Sequence, residues 1–156
     1  MTSVTDVATQ LKAILAVLAD VDESSLSSYT PAIKTQKIAL LIVPFEQSGM
    51  MSYAGTGKHS LVHAHRISCE FWVKVDTGNV AAAVERGRDI CLQAMRLIAA
   101  NPTLNGSVLQ VGSSLLGNQG RIGEYNILPR YEERGQIPYI IARLFVPVEL
   151  RETAAW

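Results

Sequence analysis

Between Arg66 and Val75 the side chains alternate without a break, with Ile67, Cys69, Phe71, Val73 and Val75 on one side and Arg66, Ser68, Glu70, Trp72 and Lys74 on the other. A period of two is what a pleated strand with one buried face requires, and a helix does not satisfy it. Leu61 to Asp76 therefore reads as a strand with a core face and a second face that is wet or at an interface. Ile137 to Leu150 repeats the pattern, with Ile140, Ala142, Leu144, Val146, Val148 and Leu150 in phase. The run KIALLIVPF, Lys37 to Phe45, is apolar throughout and reads as a strand covered on both faces and placed centrally in the sheet.

Two segments carry the helical period instead. Val4, Val7, Leu11, Ile14, Leu15 and Leu18 mark a first helix from Val4 to Leu18, with Thr2 or Ser3 as its cap. Asn79 is placed to cap a second helix running to about Ala100, whose buried stripe is Val80, Ala83, Val84, Gly87, Cys91, Ala94 and Ile98. A glycine inside a helix costs about 1 kcal/mol against alanine, so Gly87 on the stripe predicts close approach of helix to sheet. Asn101-Pro102 ends the helix, and Asn105-Gly106 turns the chain into a strand from about Ser107 to Ser114.

The remaining segments read as connections. Asp20 to Thr35 is Ser-rich and broken by Pro31. Residues 46–60 (EQSGMMSYAGTGKHS) read as a long loop or extended hairpin tip, and residues 115–136 as a second long loop rich in Gly, Arg and Glu. The end, 151–156, is expected to fray. These elements predict an α+β fold in one domain spanning residues 1–156. A mostly antiparallel sheet of about four to five strands packs with two amphipathic helices.

Composition limits the function classes. The chain has 156 residues, 48% apolar and 18% charged, with 14 basic and 14 acidic residues and no block of like charge. That is a globular composition without the basic stripe that tight nucleic-acid binding needs. The start MTSVTDVATQ lacks the form of a secretory signal, and no apolar run is long enough to span a bilayer, so synthesis and retention in the cytosol are expected. The first helix carries only Lys12 as a cation, which argues against a membrane-surface role. Cys69 and Cys91 form no CxxC pair and sit at inward positions, as buried thiols in a reducing compartment.

Chemical motifs are weak. His59, His63 and His65 cluster in sequence, and if the strand begins early His63 and His65 share a face. No Cys, Asp or Glu lies between Gly49 and Ser68 to complete a tetrahedral metal set, so a hydrated strand end is the stronger reading. GTGKHS, Gly55 to Ser60, departs from the phosphate-loop pattern at two positions, where Ser52 replaces glycine and His59 follows the lysine. Gly117, Gly120 and Gly123 open no predicted helix. Glu132 and Glu133 are flanked by Arg130 and Arg134, which reads as a solvated or intersubunit salt-bridge surface in preference to an acid–base pair. The residues point to no enzyme, no cofactor and no metal. The competing readings are a small metal-dependent enzyme using the three histidines and a host ligand-binding α+β module.

The order helix, strand, long loop, alternating strand, helix, turn, strand, long loop, strand resembles the tail-terminator (tail-completion) proteins of long-tailed bacteriophages. Three pieces carry the resemblance: Leu97 to Ala100 closing helix two, the turn Asn101 to Val108, and the final strand Pro138 to Val148. The family tends to have a D-x-T-L-x-G-like turn where this chain has Asn101-Pro102-Thr103-Leu104-Asn105-Gly106, and the segment 115–136 is longer than is typical. The resemblance implies a virion protein of the tail or neck, made in the host cytoplasm. It implies a homo-oligomeric ring, usually hexameric, that caps the tail tube, ends its polymerisation and joins it to the head-side connector or neck protein. DNA would only pass through the lumen, and overall neutrality suits such a pore. The alternative within this class is another neck or tail-tube-related subunit. Met50, Met51 and Tyr53 in the first loop, and Tyr125, Arg130, Tyr131, Glu132, Glu133 and Arg134 in the second, are the expected interface residues.

Overall fold

The computed structural model describes residues 4–22, 38–55, 58–76, 78–108, 110–112, 123–127, 132–134 and 137–155. Helix α1 (Val4–Leu15) leads through a turn to the short strand β1 (Val21–Asp22). There follow β2 (Ile38–Gly55), β3 (Lys58–Lys74), helix α2 (Val80–Ala99), β4 (Gln110–Val111), β5 (Glu124–Ile127), β6 (Glu132–Arg134) and β7 (Ile137–Ala155). The fold is α+β, as expected. The sheet runs β1-β2-β3-β7-β4, with β5 and β6 also paired to β7, and every pairing except β1 with β2 is antiparallel.

β4, β5 and β6 share one edge of β7. Val111 stands opposite Val148, Glu124 opposite Phe145, Ile127 opposite Ala142 and Glu132 opposite Tyr139. They form a single interrupted lane, which brings the sheet to five strand positions across and matches the expected width. The segment 115–136 is therefore not one loop, because it returns to the sheet twice. The ladder supplies hydrogen bonds to a backbone whose side chains show no period. Likewise, only Gln110–Val111 of the strand expected over Ser107 to Ser114 lies in the ladder among the described residues.

Both helices pack on one face of the sheet. Val7, Leu11, Leu15 and Leu18 from α1 and the following turn, and Ala83, Ile90, Cys91, Ala94 and Ile98 from α2, join the in-phase residues of β2, β3 and β7 in one buried cluster. α1 ends at Leu15, earlier than its periodicity indicates, and Leu18 reaches the core from the turn after it. Asn79 caps α2, its Oδ1 accepting a hydrogen bond from the Ala82 N–H at 3.1 Å. A Cβ built on Gly87 would stand 3.1 Å from the Ala142 Cβ, so the glycine does bring helix and sheet together.

After α2 the backbone turns through Leu104, Asn105 and Gly106, all at positive φ (46°, 59° and 79°). Asn105 is held by Asn101, whose Oδ1 accepts its N–H, and its Nδ2 donates to Gln10 Oε1 at 3.0 Å, tying the turn to α1. Leu104 is fully buried, so its positive φ is held by packing.

Three expectations are corrected. β2 is not central: β3 holds the middle of the sheet, and among the described residues β2 is flanked on its outer side only by β1, at Ile38 and Ala39. Its base is apolar in both phases because both faces are covered there, and face burial carries no information about lateral neighbours. The end of the chain is not frayed, since β7 continues to Ala155 against β3. The second face of β3, expected to be wet or at an interface, is instead covered within the chain at Trp72, which is 4% exposed and clusters with Ala39, Tyr139 and Ile141.

Phe71 is fully buried between its ladder partners Leu40 and Ala142. Phe71→Ala should cost about 3–5 kcal/mol in chemical denaturation. Gly87→Val should cost about 1–3 kcal/mol despite losing a flexible residue, because the Ala142 methyl it meets is anchored directly to the sheet backbone.

Candidate functional site

At the far end of the sheet β2, β3 and β7 continue as a ribbon whose near part, Ala64, Val148 and Leu150, still belongs to the buried core and which is three-stranded among the described residues once β4 ends opposite Glu149. A register shift between Pro44 and Glu46 marks its start on β2. From there Glu46 to Gly55 pair with Arg66 to Lys58, and the same stretch of β3 pairs on its other side with Pro147 to Ala155 of β7. At about 3.3 Å per residue the ribbon is roughly 26 Å long. Of residues 46–60, read as a long loop or extended hairpin tip, 46–55 and 58–60 are thus paired strand, and 56–57 lie outside the described residues. Gly49, Gly55 and the scattered serines erase any alternation, so the pairing is set by β3 and not by local propensity.

The ladder separates the expected interface residues. Met51 stands opposite Leu61 and Tyr53 opposite His59, while Met50 stands opposite Val62 in the other phase of the pleat. Met50 is therefore one register step out of phase with Met51 and Tyr53. Tyr125 lies in β5 opposite Leu144 and is 40% exposed. Glu132, Glu133 and Arg134 are in β6 opposite Tyr139, Pro138 and Ile137, at the start of β7. Met51 is level with Glu152, through Leu61, near its far end. Along the sheet Met51 lies roughly 46 Å from the β6 residues and roughly 26 Å from Tyr125, so they form no common patch. Arg130 and Tyr131 lie outside the described residues.

His63 and His65 do share a face, with ring centroids 6.2 Å apart and planes 28° from parallel. They are well inside β3 and not at a strand end: His63 is level with Gly49 and Leu150, His65 with Gln47 and Val148. His65 is only 5% exposed. Burial first, and the neighbouring His63 second, hold its pKa below the usual imidazole value. His59 stands further out, opposite Tyr53 and Ala154. Among the described residues no group of three His, Cys, Asp or Glu side chains is placed to hold a metal ion.

The outer face carries a feature that periodicity did not reveal. Arg143 and Glu70 are ladder partners, and Arg143 Nε donates to Glu70 Oε2 at 3.0 Å beside the Trp72–Tyr139 pair. Pairing two charges across strands requires knowing the register, which the sequence alone does not state. Cys69 and Cys91 are buried free thiols, and burial pushes the pKa of both up to about 12, with Cys91 further opposing ionisation of Cys69. Neither is a nucleophile at neutral pH. A surface cavity of about 160 Å³ beside the α2 N-terminus is lined by Lys74, Asp76, Asn79 and Arg86. Its cations already face carboxylates, Lys74 with Asp76 at 3.8 Å and Arg86 with Asp20 at 4.0 Å.

Comparison with known proteins adds no identity: no protein-family model matches the sequence, and a search of curated proteins finds no match.

The buried His65 makes stability depend on pH. Because its folded pKa is lowered, the unfolded chain binds the extra proton first as pH falls through the ordinary value of 6.5. Stability should therefore be greatest above that value, decline as pH drops below it, and level off below the folded pKa. Urea unfolding midpoints at pH 7.5 and 5.5 should differ less in His65→Gln than in the parent.

Proposed function

We propose that this chain is a structural assembly subunit of a bacteriophage tail or neck. In this reading it forms a homo-oligomeric ring that caps the tail tube, ends its polymerisation and joins it to the head-side connector. The observation that carries the reading is the division of the sheet into two parts. One end is packed under α1 and α2, and the other projects as a ribbon built from both long hairpin strands and the last strand. A ring subunit needs a rigid body and a projection that reaches its neighbours, and this chain has both. The resemblance of the Asn101–Val108 turn and the Pro138–Val148 strand to tail terminators supplies the particular role. Within it the protein has no catalytic step, and its partners are its own copies, the tube protein and the connector, with DNA passing through the lumen.

Met50, Met51 and Tyr53 remain the residues proposed for contact, now placed on the outer part of β2. Replacing all three with serine should leave the circular dichroism and melting of the monomer unchanged while abolishing ring formation by native mass spectrometry, or tube capping in a tube-length assay. A triple variant that assembles and limits tube length as the parent does would remove these residues from the interface.

A further inference from the structure

The ribbon has two outer edges. On one side β2 has β1 as its neighbour only at Ile38 and Ala39, and no described strand pairs with Glu46 to Gly55. On the other, β4 reaches β7 only at Val148 and Glu149, Gly112 adds one hydrogen bond to the Pro147 carbonyl at 2.7 Å, and no described strand pairs with Leu150 to Ala155. Half of the backbone N–H and C=O groups of each edge thus point away from β3.

Proteins that must stay monomeric blunt such edges with charges, prolines or bulges. Here the proline and one register shift come at Pro44 to Glu46, before the open stretch, and a second register shift comes only at its far end, between Tyr53 and Gly55. Gln47 to Gly55 (QSGMMSYAG) holds neither a charge nor a proline, while the β7 edge carries one charge of each sign, Arg151 and Glu152. The two edges are also level: Ser52 and Thr153 are both partners of Ser60, on opposite sides of β3. Because β2 and β7 are both antiparallel to β3, they run in the same direction.

We propose that the β2 edge of one copy, Gln47 to Gly55, pairs with the β7 edge of the next copy, Leu150 to Ala155, so that a second copy of this chain extends the ribbon by parallel β-addition. The contact is head-to-tail, it repeats at the same height around a rotation axis, and on closure no ribbon edge is left open. A two-fold pairing of β2 with β2 would leave every β7 edge bare. This inference rests on the ring reading above and states how that ring is joined.

Cross-linking and proline substitution test it together. Ser52 and Thr153 in one chain are two strand spacings apart, about 9.6 Å, beyond the roughly 7 Å Cα separation that a disulfide bridges. Any disulfide between cysteines there joins two copies. Mixing the single variants Ser52→Cys and Thr153→Cys under oxidation should give a mixed dimer, while neither variant alone should cross-link. Successive backbone N–H groups alternate in direction, so of Met50→Pro and Met51→Pro one removes an outward donor and the other breaks the β2–β3 ladder. The variant that keeps the parent's melting temperature should be monomeric by native mass spectrometry. If that variant assembles like the parent, or if Ser52→Cys alone cross-links, the edge pairing is wrong and the ring reading stands. If the parent itself is monomeric at micromolar concentration, the ring reading falls and the edge pairing with it.

Discussion

The double ladder on β3 is the interaction on which the rest of the molecule depends. β3 is paired along both sides, to β2 from Gly55 to Ala39 and to β7 from Ala155 to Tyr139. A strand hydrogen-bonded on both edges has its backbone groups satisfied whatever its side chains are, so the inner and outer halves can differ completely in composition. The inner half carries Ile67, Cys69, Phe71 and Val73 under the helices, and the outer half carries the histidines, Ser60 and Lys58.

Placement of the helices follows from the same ladder. The in-phase residues of β3 and β7 make one apolar surface, and α2 lies on it closely because Gly87 removes the Cβ that would strike Ala142. α1 is tied in through the Asn101–Asn105 turn and Gln10, so both helices are located against the inner half of the sheet. Burial continues from the core into the near part of the outer half, where Ala64 and Val148 are fully buried, His65 and Leu150 are buried and His63 is half-buried. A unit of this kind has a packed base and an outer part, Glu46 to Gly55 and Leu150 to Ala155, that no described strand other than β3 pairs with.

Several features were legible from the residues alone. Alternation from Ile67 to Val75 and from Ile140 to Leu150 identified the core face of both strands, and Phe71, Cys69, Leu144 and Val146 are indeed fully buried. Of the stripe expected on α2, Ala83, Gly87, Cys91, Ala94 and Ile98 are buried, Val80 and Val84 are only half-buried, and the buried Ile90 was missed, while the Asn79 cap and the role of Gly87 follow from local chemistry. The candidate site was much less legible. Residues 46–55 look like a loop because glycine, serine and methionine carry no period, and Glu132 to Arg134 look like a charged loop for the same reason. Both are strands because a neighbouring strand supplies their hydrogen bonds.

The sequence by itself determined the elements whose stability comes from their own side-chain pattern: two amphipathic helices, two alternating strands, a capped helix start and a turn at Asn105-Gly106. Periodicity and capping are local, and a chain writes them in consecutive residues. Tertiary structure alone decided which strand holds the centre, how far β2 and β7 extend, that three short segments share one edge of β7, and that Arg143 meets Glu70. These are matters of register and lateral order between segments distant in the chain. They are set by backbone hydrogen bonding, which is the same for every residue type except proline and so leaves little trace in the identities of the side chains.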